Sequence, residues 1–364
     1  MILLQRAIAA GAALALVVVA PAPAHADSTR DRQWYLDTLD VAAAQQITKG
    51  RGVVVAVLDS GVDARHPDLK GAVAGGFDTV RPNQKMIDTG GHGTGMASII
   101  AARGRGGSRG MIGIAPEAEI LAVRPANDNF FVNKGIDWAV EHGAKVINMS
   151  FGLPDSEGLR AAIKAAAAKD VVLVSSVGNT GDKDNKPEFP GAYPEVLGVG
   201  AVDRKGKVAK FSQHGEQVDI VAPGVDMVQA GLGGDYREGF GSSNSAAIVS
   251  GAAALIRAKY PELTAQQVID RLISTAEDKG EKGRDDFYGH GELDLVKALT
   301  APQPKPSTAD PATDVPAAGP TVVAENDGSS GGIPPLVFVV GGLVLLIVAV
   351  IAIVMAVRSS RSTA

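Results

Sequence analysis

The sequence predicts an α/β domain whose mainly parallel β-sheet carries helices on both faces. Three observations predict it. Apolar strand-like runs alternate with helix-like runs between residues 53 and 300, and that alternation builds parallel sheets. The first run, Val53-Val54-Val55-Ala56-Val57-Leu58, is an almost unbroken apolar stretch rich in β-branched residues, as expected of a strand covered on both faces. The chain has no cysteine among its 364 residues, so no disulfide can hold the domain and its core must do so by packing.

Taken in order, residues 53–58 read as a strand, 94–102 as a helix, 119–123 as a strand and 134–141 as a helix. Residues 145–149 follow as a strand, the Ala-rich 158–169 as a helix and 171–175 as a strand. Further strands are predicted at 196–202 and 218–221. Residues 243–259 form a long helix of small side chains. Residues 264–275 close the set: Thr264 and Gln267 make a capping box, and Val268, Ile269, Leu272 and Ile273 share one apolar face. In open parallel sheets, functional residues gather beyond the carboxyl ends of strands, and Asp59 stands directly after the first strand.

Both ends of the chain read differently. Arg6, an apolar stretch at 7–20 and Ala24-His25-Ala26 have the pattern of a secretory signal peptide, 1–26. Residues 301–335 are rich in Pro, Ala, Ser, Thr and Gly and too poor in apolar side chains for a core, so they read as a semi-extended linker. Residues 336–357 carry no charge; at ~1.5 Å per residue they reach roughly 33 Å, enough to cross a bilayer core of about 30 Å. Arg358 and Arg361 follow this stretch, which places the tail 358–364 in the cytoplasm and the folded domain outside a single-pass cell-membrane anchor. Residues 27–52 remain as an N-terminal arm before the domain 53–300. A net charge of −5 gives no signal for nucleic acid.

Three short segments carry potential chemistry: Leu58-Asp59-Ser60-Gly61-Val62, Gly91-His92-Gly93-Thr94 and Gly241-Ser242-Ser243. A serine hydroxyl attacks a carbonyl poorly unless a base removes its proton. An imidazole titrates near neutrality and suits that task. A carboxylate can orient the imidazole and stabilise its charged form. Singly, each residue has an ordinary reading: Asp59 in a turn, Ser243 as a helix cap, His92 as a buried hydrogen-bonded histidine. Together, in the order Asp, His, Ser, they match the chain order of the subtilisin triad. An esterase of the Gly-x-Ser-x-Gly type would place its serine first.

On these segments the chain resembles the subtilisin-like serine proteases (subtilases) over residues 33–299. The resemblance implies a subtilisin-like fold, polypeptide substrates and no cofactor. It assigns Ser243, His92 and Asp59 to the triad and makes Asn179, in Val177-Gly178-Asn179, a donor to the oxyanion. It makes Ser150-Phe151-Gly152 the edge along which substrate lies, and puts Glu188 near the base of the pocket for the residue preceding the cut. The family's usual Gly-Thr-Ser is Gly241-Ser242-Ser243 here, and Ser242 and Ser245 stand beside the nucleophile as competitors. Residues 102–113, Gly- and Arg-rich without a carboxylate, match no metal loop, so no metal is expected. Asp68 matches one calcium ligand of the family and reads, alone, as a surface or capping residue. The arm 27–52 is too short for the folded pro-domain of many subtilases. The whole layout is similar to that of the mycosins, membrane-anchored subtilases of type VII secretion systems, which implies membrane proteins of a secretion machinery as partners. A structural subunit with dispensable catalysis is the alternative.

Overall fold

The computed structural model describes residues 28–82, 87–106, 109–126 and 128–302. The expected signal peptide 1–26, nearly all of the linker, the membrane span 336–357 and the tail 358–364 lie outside the described residues. Among the described residues no helix is long and apolar enough to cross a membrane.

Three short helices open the described chain: α1 (Ser28–Asp31), α2 (Tyr35–Thr38) and α3 (Val41–Ile47). Tyr35, Leu39, Val41 and Ala44 are buried in the main core, so this arm is part of the packed body. The sheet then builds from β1 (Val54–Leu58), β2 (Val73–Asp78), β3 (Glu119–Arg124), β4 (Val146–Met149), β5 (Val172–Ser176), β6 (Leu197–Val202) and β7 (Ile220–Pro223). Its seven strands lie in the order β2-β3-β1-β4-β5-β6-β7, and every pair is parallel. A separate antiparallel hairpin joins β8 (Met227–Ala230) and β9 (Tyr236–Gly239).

The two-residue period of a strand divides the core. Val55 and Val57 of β1 point into one apolar cluster, with α4 (His92–Ala101), α7 (Ser242–Lys259), α8 (Ala265–Thr275) and α9 (Leu295–Thr300). Ala56 and Leu58 point into the other, beneath α5 (Asn129–Glu141) and α6 (Glu157–Ala167). Helices therefore cover both faces, as the sequence predicts. The capping box at Thr264 forms, with the Gln267 amide donating to the Thr264 hydroxyl at 3.3 Å and the Thr264 amide to Gln267 Oε1 at 2.9 Å.

The structure adds elements the periodicity did not predict. β2 is an edge strand with alternating exposure and a register shift near Gly75. Its Gly75-Gly76 pair dilutes the strand signal. α5 begins five residues earlier than predicted, at Asn129, because Asp128 accepts the Phe130 amide at 2.8 Å and caps it.

α7 runs through the centre and is buried on every side from Ser242 to Arg257. A polar chain fixes it to the sheet. Ser250 Oγ donates to Asn148 Oδ1 at 2.9 Å, Asn148 Nδ2 donates to Ser150 Oγ at 3.0 Å, and Ser150 Oγ donates to the Ser243 carbonyl at 3.1 Å. All four residues are buried, so this chain satisfies groups that would otherwise be stranded in the core.

Candidate active site

The site lies beyond the carboxyl ends of β1, β4 and β5. Asp59 follows β1, its amide continuing the ladder to the Val123 carbonyl at 2.9 Å. The Ser60 amide donates to Asp59 Oδ1 at 2.7 Å and sets the carboxylate. His92 opens α4, and its Nδ1 lies 2.9 Å and 2.8 Å from the two Asp59 oxygens. A carboxylate only accepts, so Nδ1 carries the proton and Nε2 is left as the basic nitrogen. The Asp59 side chain is 6% exposed and that of His92 39%. Burial disfavours the imidazolium, but the hydrogen bond to Asp59 and its charge outweigh that, and the His92 pKa stands above its ordinary value.

Asp88 is the residue the sequence reading missed. Its Oδ1 accepts from the amides of Gly90 (2.9 Å) and Gly91 (2.8 Å) and from Ser60 Oγ (2.8 Å). Its Oδ2 accepts from the Thr94 amide at 3.0 Å and from the Thr94 hydroxyl. Burial alone would raise its pKa; these bonds hold the carboxyl below the usual value. Asp88 thus ties down the start of α4 and, through Ser60, the loop after Asp59. Its signal was an Asp four residues before the His, ahead of Gly90-Gly91, a capping pattern.

Ser243 is the second residue of α7 and is 8% exposed. Its hydroxyl donates to the Ser150 carbonyl at 3.3 Å in this rotamer; a turn about its Cα–Cβ bond changes the partner, and such bonds are often loose without substrate. Gly241 precedes the helix at φ 140°, a conformation that side chains oppose. Its competitors in the sequence, Ser242 and Ser245, are fully buried, and Ser245 Oγ donates to the Ala222 carbonyl at 2.9 Å.

Ser242 has another task. Its amide and hydroxyl both donate to Asn179 Oδ1, at 2.9 Å and 3.1 Å. With Oδ1 so engaged, the donating Nδ2 of Asn179 is fixed in orientation. The amide of Ser243, within the first turn of α7, has no carbonyl one turn back to bond. The Ser243 amide and Asn179 Nδ2, which lies 3.3 Å from where a Cβ on Gly241 would stand, are thus two N–H donors at the start of α7.

Asp59, His92, Ala126, Val132, Ser150 and Phe151 are among the walls of a cleft of about 400 Å³. Leu153 and Phe189 exchange backbone hydrogen bonds of 2.7 Å and 3.0 Å, which brings Glu188 against Gly152. A Cβ on Gly152 would stand 1.8 Å from Glu188 Oε2, so only glycine leaves room for this carboxylate. Gln213 Nε2 donates to Glu188 Oε1 at 3.2 Å. Lys186 turns to Asp184 instead, at 3.3 Å. Burial and the charge of Asp184 push the Glu188 pKa up.

The sequence pattern of the subtilase family matches residues 50–291. The chain is 37% identical over 258 residues to subtilisin DY of Bacillus licheniformis, covering 69% of this chain and 92% of that protein. It is likewise 37% identical to subtilisin E of Bacillus subtilis, over 68% of this chain and 66% of that protein. Among solved structures, it matches MycP1 with the N-terminal propeptide removed at a TM-score of 0.68 and 32% identity, covering 74% of this chain and 98% of that one. MycP1 from the ESX-1 type VII secretion system matches at 0.66 and 29%, over 75% and 88% of the two chains. The chain belongs to the subtilase family. It is a serine endopeptidase with the subtilisin fold, and the mycosin MycP1 is among its structural neighbours.

Calcium is the cation the family implies, and the residues near Asp68 do not fit it. Asp68 is fully buried, which corrects its reading as a surface residue. Arg105 Nε donates to its Oδ1 at 3.2 Å; the Met111 amide and the Tyr236 hydroxyl donate to its Oδ2 at 2.9 Å and 2.6 Å. The guanidinium also lies 5.2 Å over the Tyr236 ring. Three donors, one of them a fixed cation, occupy the carboxylate that a metal would need. A chelator should therefore leave the melting temperature unchanged, whereas Arg105→Met should lower it by several degrees, through a loss of roughly 2 kcal/mol for a buried carboxylate that loses its charged hydrogen-bond donor. Calorimetry of both proteins with and without chelator checks this, and a chelator-induced fall in the native protein would overturn it.

Proposed function

We propose that Ser243 is the nucleophile, His92 the general base, Asp59 its orienting carboxylate, and Asn179 Nδ2 with the Ser243 amide the oxyanion donors of a surface endopeptidase. The contact of His92 Nδ1 with both Asp59 oxygens, 2.9 Å and 2.8 Å, carries this reading. Substrate lies extended along Ser150-Phe151-Gly152 and bonds through its main chain. Ser243 Oγ turns to His92 Nε2, gives up its proton and attacks the scissile carbonyl. The two N–H donors receive the charge that develops on oxygen, and His92 returns its proton to the leaving amine. The raised His92 pKa sets the acid limb of activity: the base works only above it. Ser243→Ala should abolish labelling by a fluorophosphonate and all peptidase activity without unfolding the protein. Asn179→Ala should lower kcat by ~10²–10³ with little change in KM. Full labelling of the Ser243→Ala protein would sink the assignment.

Glu188 gives the pocket for the residue before the cut a preference for a basic side chain, since an apolar one leaves the charge of a half-buried carboxylate bonded to Gln213 without a cation. Its raised pKa fixes the pH sign: the preference is full at alkaline pH and fades as the carboxyl protonates. Cleavage of peptide libraries by native and Glu188→Gly enzyme should show basic residues losing ground. An unchanged preference removes Glu188 from specificity.

The chain acts outside the cell, exported by residues 1–26 and anchored by 336–357 through the linker 301–335. The likeness to MycP1 supports association with the membrane proteins of a secretion machinery. Protease added to intact cells should release the domain through the linker; protection until lysis would reverse the topology.

A further inference from the structure

The hairpin β8–β9 reaches the site through two of its polar side chains and one on α7, all of which the mechanism above leaves unused. Gln229, on β8, is 3% exposed, and Asn244, directly after Ser243, is 1% exposed. Gln229 Nε2 donates to Asn244 Oδ1. Arg237, on β9, donates from Nε to Gln229 Oε1 at 3.0 Å. The guanidinium then lies across the first turn of α4. A Cβ on Gly91 would stand 3.9 Å from Arg237 Nη1, and one on Gly95 3.1 Å from Nη2. Those two glycines are one turn apart and flank His92. A Cβ on Gly95 would also stand 2.5 Å from Gln229 Oε1, so the absence of a side chain there is what admits both groups.

We infer that Arg237 is a positioning residue for His92: braced through Gln229 on Asn244, its guanidinium sets the charge beside the base and links the hairpin to the helices bearing base and nucleophile. The role requires His92 to be the base proposed above. A cation beside the first turn of a helix is unfavourable, so its fixed seat there needs the Gln229 and Asn244 brace. Three charged groups bear on the imidazole. Asp59, after β1, and Asp88, before α4, favour its protonated form; Arg237, on β9, opposes it. Asp63, near the same turn, is engaged by Arg65 and the Gly233 amide. The remaining walls, Ser60, Pro125, Ala126, Val132, Ser150 and Phe151, are uncharged. Asp59 in contact with the imidazole and Asp88 acting through its charge both favour the protonated form, and the guanidinium offsets part of that.

The test is the rate of fluorophosphonate labelling of the purified full-length chain as a function of pH. It needs no known substrate and depends on neutral His92. Arg237→Gln and Arg237→Met should each move the acid limb up by about half a pH unit, more at low ionic strength. Arg237→Lys should return most of that shift. A merely structural role for Arg237 would lower the rate at every pH and leave the limb in place, and that result, in either neutral variant, overturns the inference. A native chain that takes no label at any pH refutes instead the assignment of Ser243 and His92.

Discussion

The burial of α7 on all sides is the constraint on which the rest of the structure depends. A helix with no solvent face cannot be placed by amphipathicity; it must be thin enough to fit and polar at chosen points to be fixed. Its run of Ala, Ser and Gly supplies the first condition. The chain Ser250–Asn148–Ser150–Ser243 supplies the second, tying it to β4 by hydrogen bonds of 2.9–3.1 Å. The same bonds that satisfy buried groups set the height of Ser243 above the sheet. Ser150 serves twice, since its hydroxyl holds the helix while its carbonyl accepts from Ser243. The proposed nucleophile and the proposed substrate edge are thereby held by the same two residues, through two hydrogen bonds, so in that reading an error in packing becomes an error in chemistry.

α4 is organised differently. Its start is set by charge: the Asp88 carboxylate collects the free amides of Gly90, Gly91 and Thr94, which is favourable at a helix N-terminus. Ser60, bonded to Asp88 and accepting the Gly93 amide at 3.0 Å, makes the Asp59 loop and the His92 helix one unit. The orientation of His92 toward Asp59 thus rests on a second carboxylate that never meets the imidazole directly.

The arm and the loop before β3 form a third such unit. Arg30 donates to the Gly110 carbonyl at 2.8 Å, and Gln33 both donates to and accepts from Ile112, at 2.8 Å and 2.9 Å. From inside, Arg105 and Asp68 hold the same loop. Arg105 is a covalently attached cation, and it stands against the Asp68 carboxylate at 3.2 Å. The chain has no disulfide to stiffen it, and these side chains do that work locally.

Residue pattern alone determined the alternation of strands and helices, the two-sided burial of β1 and the box at Thr264, because each depends on neighbours a few positions away. It also singled out Asp59, His92 and Ser243, whose surroundings of small residues are local. Only the tertiary structure decided what joins them. Asp88 had no visible partner until the chain brought Ser60 beside it. Asp68 read as a surface or capping residue until Arg105 and Tyr236 arrived from distant segments. The hairpin β8–β9 carries too few residues per strand, and too much glycine beside them, for periodicity to register. Glu188 could be aligned with a pocket, but its contact with Gly152 exists only because Leu153 and Phe189 pair across the chain. The physical reason is common to the three carboxylates: a polar side chain's role is set by the partner that satisfies it, and in a parallel sheet those partners come from loops far apart in sequence that meet only at the strand ends.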